Sequence, residues 1–154
     1  MTGPVVSRAL AVADLADAYR IRRVVFVEEQ GVPSELERDS RDAEADHLIA
    51  RLDGSAVGAV RLVVEPPGFE QIDPAYGPVA HLGRLAVHTA ARRQGIGALL
   101  VGAVEDRART AGLRAVYLGA QTHAVGFYEA LGYTPFGLEF DDAGLPHRHM
   151  LRVL

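Results

Sequence analysis

The chain of 154 residues contains no cysteine, no lysine, no asparagine and no tryptophan. Without cysteine there is no disulfide framework, no thiolate metal site and no cysteine nucleophile. Without lysine there is no Schiff-base chemistry and no phosphate-loop lysine. All sixteen basic residues are arginine, and the net charge of −4 gives no general attraction to nucleic acid. Aromatic residues make up only 6%, which further disfavours an arginine-dependent nucleic-acid binder. No apolar run approaches the roughly 18 residues of a membrane-spanning helix, so no membrane partner is expected. The opening "MTGPVVSRALAVADLADAYR" lacks a basic stretch leading into a clean apolar run. No signal peptide is read there, and a cytoplasmic location is the expectation.

What is present suits one folded domain over residues 1–154, with 49% hydrophobic residues to build its core. Residues 5–12, "VVSRALAV", read as a first strand, and Asp14 is placed to cap a helix over "LADAYRIRRVVFVEEQ". The polar stretch 31–46, broken by Gly31 and Pro33, reads as a loop with one short helical turn. Two β-like runs flank Asp53-Gly54, a dipeptide that tolerates the positive φ of a tight turn. Residues 66–78 form a loop punctuated by Pro and Gly, and 79–87 form a fourth strand. From Arg92 to Ala111 one apolar stripe marks a helix, with Gly112 as its C-terminal stop. A fifth strand over 113–121, a short helix closed by Gly132 and two final strands complete the chain. The order β-α-β-β-β-α-β-α-β-β predicts a mixed α/β sheet with helices packed on it.

The stretch "ARRQGIGALL", residues 91–100, places two arginines and two glycines where a strand gives way to a helix. Such a junction offers unpaired backbone N–H groups and the positive end of the helix dipole. Gly95 and Gly97 leave the backbone uncovered, and Arg92 and Arg93 add positive charge, an arrangement suited to a pyrophosphate. A Walker A loop is excluded by the absence of lysine. The dinucleotide fingerprint is excluded because only G-x-G is present, late in the chain.

The pattern Arg92-x-x-Gly95-x-Gly97 after "LAV" resembles the acyl-CoA pyrophosphate loop of the GNAT superfamily of N-acetyltransferases. "GRLAVHTAARRQGIGALLVGAVEDRARTAGL" is similar to that family's fourth strand and following helix. "GAQTHAVGFYEALGY" is similar to its fifth strand and the helix carrying its tyrosine. "RIRRVVFVEEQ", Asp39, Asp42, His47 and "FDDAGLPHRHM" resemble the ElaA-like branch. The resemblance implies a mostly antiparallel, twisted sheet of about seven strands flanked by helices. It implies acetyl-CoA as co-substrate and a small-molecule or peptide amine as acceptor; a homodimer is one assembly open to the chain, whose oligomeric state is not written in the sequence. The alternative is a non-catalytic acyl-CoA-binding or sensing module.

Residue by residue, the resemblance makes Tyr128 the general acid for the departing thiolate. A phenol with an ordinary pKa near 10 carries its proton at neutral pH. The backbone of Leu85, Ala86 and Val87 would pair with the pantetheine arm like an added strand, and an N–H there could hold an oxyanion. Arg92, Arg93, Gln94, Gly95, Ile96, Gly97 and Ala98 form the pyrophosphate loop, with Phe127 beside the cofactor. Many family members carry asparagine seven residues before the tyrosine; here that position is Gln121, a longer amide. Arg22, Phe26, Glu29, Gln30 and Arg84 lie where the family shapes its acceptor pocket. His81, His147 and Glu29 are candidates for the base that takes the amine proton. "HRH" puts two imidazoles on one face of a strand, but no third ligand stands at a metal-binding spacing, so no metal is expected. With no cysteine for a thioester intermediate, the amine is expected to attack the bound thioester directly.

Overall fold

The computed structural model describes residues 3–154; Met1 and Thr2, the first residues of the expected domain, lie outside them. Seven strands form one sheet in the order β1-β2-β3-β4-β5-β7-β6. They are β1 (Val5–Arg8), β2 (Asp46–Leu52), β3 (Ser55–Glu65), β4 (Val79–Val87), β5 (Ala115–Gln121), β6 (Thr134–Asp142) and β7 (Leu145–Val153). Only β4 and β5 run parallel; every other neighbouring pair is antiparallel. The helices are α1 (Val12–Arg22), α2 (Ser34–Glu37), α3 (Ile96–Thr110) and α4 (Val125–Ala130). Architecture and element order thus follow the expectation of a mixed, mostly antiparallel sheet with helical flanks.

The strands bury alternate residues on opposite faces. Leu48, Ala50, Val60, Leu62, Ala80 and Leu82 pack with Ile96, Leu100, Val104 and Ala108 of α3. On the opposite face Ala59 and Ala86 pack with Ala18, Ile21 and Val25. Farther along that face, Val79, Ala115 and Tyr117 are covered by Ile72, Phe69 and Tyr76 of the 66–78 loop. The start of α3 sits tightly on β3. A Cβ at Gly58 would lie 2.9 Å from Leu100 Cδ1, so glycine there sets how closely helix and sheet approach.

Four local expectations are corrected. The first strand ends at Arg8 rather than at residue 12. Ala11, not Asp14, occupies the cap of α1, and no side chain caps it. Asp14 instead accepts from Arg51 on β2 at 2.7 Å. Residues 31–46 carry two turns, α2 and a 3₁₀ turn at Ser40–Ala43. Finally, α3 begins at Ile96, not Arg92, because Arg93 (φ +64°) and Gly95 (φ +77°) adopt left-handed backbone that breaks the helical path. The other end of α3 is as expected: Gly112 (φ +76°) donates to Arg109 and Leu113 to Ala108, the paired bonds of a Schellman stop.

After Arg22, α1 widens into a π-helical segment, Arg23–Glu29. Gln30 donates to the Val25 carbonyl and Val32 to that of Phe26. The wider turn buries Val25 over Ala59 and Ala86 and brings Phe26 and Gln30 to the wall of a groove.

Candidate active site

The site originates in β4. Ala59 stands opposite Ala86, but Arg61 stands opposite Gly83, so β4 carries one extra residue between these pairs. This bulge contains Arg84, held at φ +55°, a conformation costing a non-glycine residue of order 1 kcal/mol. The bulge reverses the alternation of the strand. Val79 lies on the face of the 66–78 loop, whereas beyond the bulge Ala86 lies under α1 and Leu85 and Val87 turn to the α3 side. Pairing with β5 also stops here, its registered pairs running only from Ala80–Val116 to Leu82–Leu118.

A groove of about 660 Å³ opens where these parallel strands part. Leu82–Leu85 form one wall and Leu118–Gln121 the other, with Phe26 and Gln30 from the π-helical segment and Phe127 and Tyr128 from α4. Tyr128 is 7% exposed, and its hydroxyl has no hydrogen-bond partner among the described residues. Burial pushes its pKa well above the ordinary phenol value, so it holds its proton at neutral pH.

The loop 92–98 lies outside the groove wall, behind Phe127, whose Cζ is 3.3 Å from the position of a Cβ on Gly97. Ile96 is fully buried under the sheet, whereas Arg93 and Gln94 are exposed. Arg92 is engaged: it grips Glu29 through both nitrogens at 2.6 and 2.7 Å and donates from Nε to the Val87 carbonyl. Gln121 donates to Gln30 at 2.9 Å. Two residues expected on the cofactor side are therefore each bonded to one expected on the acceptor side, and both bridges involve the end of the π-helical segment.

The remaining candidates divide in the same way. Arg84 lines the groove and bonds to Glu37, to its carbonyl and to Asp39. Arg22 lies behind the wall, 1% exposed, bonded to both carboxylate oxygens and the carbonyl of Glu37 and to both oxygens of Asp42. Arg61 reaches Asp39 at 2.7 and 3.0 Å and Asp42 at 2.9 Å. Burial alone would raise the Asp42 pKa. The bonds from Arg22, the Asp39 amide and Arg61 outweigh it and hold this carboxyl well below the usual range.

Sequence reasoning gave no role to Arg41, Arg61 or Glu65, which complete this polar floor. Arg41 bonds to Glu65 at 2.8 Å, and Glu65 meets His81 Nδ1 at 2.7 Å. The signal was available. Arg61 and Glu65 occupy the same face of "VRLVVE" as Val63, a core-facing register in which a charge needs a partner. Of the other histidines, Nδ1 of His147 bonds to the Leu145 carbonyl and that of His149 to the Tyr117 hydroxyl. Both rings meet Phe140, His149 stacked at 4.2 Å and His147 tilted at 5.5 Å between centroids, so the "HRH" pair does share one face.

A sheet whose only parallel pair parts at a bulge, beside a buried protonated phenol and an uncapped helix start, defines an acyl-CoA-dependent acetyltransferase. The chain belongs to the acetyltransferase (GNAT) family, whose profile matches residues 12–133. It is 36% identical over 139 residues to the uncharacterized N-acetyltransferase YjcF of Bacillus subtilis, covering 90% of this chain and 91% of that one. Among solved structures, an acyl-CoA N-acyltransferase from Pseudomonas aeruginosa superposes with a TM-score of 0.78 at 27% identity, covering 99% and 100% of the two chains. Escherichia coli ElaA superposes with a TM-score of 0.76 at 26% identity, covering 99% of each.

Proposed function

We propose that this protein, as one domain over residues 1–154, transfers an acetyl group from acetyl-CoA directly to a primary amine of a small molecule or peptide. The carrying observation is the gap between β4 and β5, where Leu82–Leu85 and Leu118–Gln121 line a groove together with Tyr128. The residues present fit the co-substrate. The first-turn amides of α3 have no helical acceptor, and a glycine stands among them at position 97. In this reading Arg92–Ala98 hold the pyrophosphate, Leu85–Val87 pair with the pantetheine arm, and Phe127 and Gln121 flank it. Phe26, Gln30 and Arg84 shape the acceptor side. Arg22 and Glu29 act through the residues they hold, Glu37 and Arg92.

The chain's own contribution is positioning, polar stabilisation and proton transfer. In this reading the backbone amides beside the bulge receive the charge that the thioester oxygen gains. Tyr128 keeps its proton until the thiolate departs and then donates it. A cytoplasmic location belongs to the same proposal, where acetyl-CoA is made and consumed.

The test is thiol release from acetyl-CoA with a panel of monoamines, polyamines, amino acids and aminoglycosides. Amine-dependent release with acetylated product supports the transferase. Tight acetyl-CoA binding without release to any amine would replace it with a binding or sensing module.

A further inference from the structure

We propose that His81 is the general base that takes the acceptor's proton, with Glu65 as its positioning residue and Arg41 holding Glu65 in place. The proposal rests on the transferase reading above. His81 projects from β4 into the groove, two residues before the Gly83 that precedes the bulge. Its Nδ1 lies 2.7 Å from Glu65 Oε2. Glu65 is 4% exposed and is gripped by both terminal nitrogens of Arg41, at 2.8 and 3.3 Å, so it cannot turn away from the imidazole. A carboxylate can only accept, so Nδ1 carries the hydrogen and Nε2 keeps its lone pair. That nitrogen has no partner among the described residues and is not sealed from solvent. Tyr117 packs edgewise on the ring and Phe69 packs on it at a tilt, 4.9 and 5.5 Å between centroids, and together they restrict its plane.

The surroundings suit a base at neutral pH. Burial lowers the His81 pKa; Glu65 opposes this, and Arg61 and Arg41 add to it, for a net fall below the ordinary value. The groups facing the ring are Glu65 and Arg61 from β3, Arg41 from the 3₁₀ turn, Phe69 from the 66–78 loop and Tyr117 from β5. The neutral imidazole is therefore ready to accept, while the carboxylate behind it stabilises the cation formed. The other candidates lack this pairing. Glu29 is occupied by Arg92, and His147 is backed only by a carbonyl.

The proton balance closes. Nε2 takes one proton from the acceptor ammonium, directly or through one water, freeing the nitrogen lone pair. The N–C bond forms and the C–S bond breaks with its electron pair on sulfur. Tyr128 protonates the thiolate and is reprotonated through solvent by the second nitrogen proton. His81 returns its proton to solvent, so one proton is released per turnover.

Two measurements test this. Imidazole nitrogen NMR of the wild-type protein without ligand should show His81 as the Nδ1–H tautomer, titrating below about 6.5. The Nε2–H tautomer or a higher midpoint would overturn the assignment. In thiol-release assays His81→Gln should lose roughly 10²–10⁴ in kcat, the range for general base catalysis, and lose the acidic limb of its pH profile, with acetyl-CoA affinity unchanged. Glu65→Gln should shift that limb to lower pH, a change a merely structural residue would not cause, and Glu65→Asp should restore part of it. If His81→Gln keeps the limb while His147→Gln loses it, the base is His147. If wild-type protein binds acetyl-CoA but releases no thiol with any amine, the transferase reading fails first and the base with it.

Discussion

Replacing Arg22 with methionine tests whether the polar floor is structural. The perturbation removes a 1% exposed guanidinium and leaves a side chain of similar length. Glu37 keeps Arg84, and Asp42 keeps Arg61, but each loses a partner it meets at 2.9 and 2.7 Å. Removing one member of a buried ion pair costs about 3–5 kcal/mol, because the remaining charge stays desolvated. For a chain of this length 1 kcal/mol corresponds to roughly 2–4 °C, so Tm should fall by about 10 °C. The control is Arg20→Met. Its pair with Asp17 is half in solvent and contributes about 0.5 kcal/mol, so Tm should move by no more than about 2 °C. The pH dependence supplies a second reading. Asp42 has a depressed folded pKa, so its contribution is present above the unfolded value near 3.9 and is lost as pH falls below it. Arg22→Met raises the Asp42 pKa toward normal, so its deficit relative to wild type should shrink between pH 5 and about pH 3. Thermal unfolding by circular dichroism over that range measures both. A fall of less than about 3 °C, or equal falls in the two variants, would refute the structural assignment. An unchanged Tm with a raised acceptor KM would return Arg22 to the substrate.

Tyr128→Phe removes a hydroxyl that has no hydrogen-bond partner among the described residues, so Tm should hardly change while kcat falls roughly 10²–10⁴ with acetyl-CoA affinity intact; normal turnover would remove Tyr128 from the mechanism. Acetyl-CoA at about 100 times its Kd should stabilise the protein by about 2.7 kcal/mol in thermal-shift assays. Dephospho-CoA should keep much of that shift and pantetheine lose most of it, whereas equal shifts would sink the pyrophosphate assignment. Gly97→Val should abolish CoA binding in calorimetric titration; its Cβ meets Phe127 at 3.3 Å, so a small Tm loss is also expected, and unchanged affinity in the folded variant would show that the loop touches no phosphate.

The parts of the fold visible in the sequence are those encoded within a few residues. Asp53 and Gly54 both take the positive φ that the hairpin requires, and Gly112 stops α3 as its position implies. The two β-like runs on either side of that turn are β2 and β3, and both supply core residues. The π-helical segment was not visible, since "RVVFVEE" carries the same apolar spacing as an ordinary helix. The β4 bulge was hidden because Arg84, not glycine, occupies the left-handed position. The polar floor was hidden for a different reason. Its partners lie 15 to 47 positions apart, and only the fold brings Arg22 to Glu37 or Arg84 to Glu37. Tyr128 and the glycine loop were visible as a constellation, whereas Glu65 required the structure to show what it faces.

The extra residue at Arg84 is one that the core does not need. Without it Gly83 would stay opposite Arg61 and Ala86 opposite Ala59 with a single residue between them on each strand, so Leu85 and Val87 would still face α3 and Ala86 would still lie under α1. The core would accept the shortened strand, and the positive φ of Arg84 would be gone. A straight β4 would have no reason to leave β5 after Leu82, and the groove would narrow where the two strands now part. Packing therefore does not keep the bulge in place; the opening it makes is what its loss would remove. One codon separates a sheet with a cleft from a sheet without one.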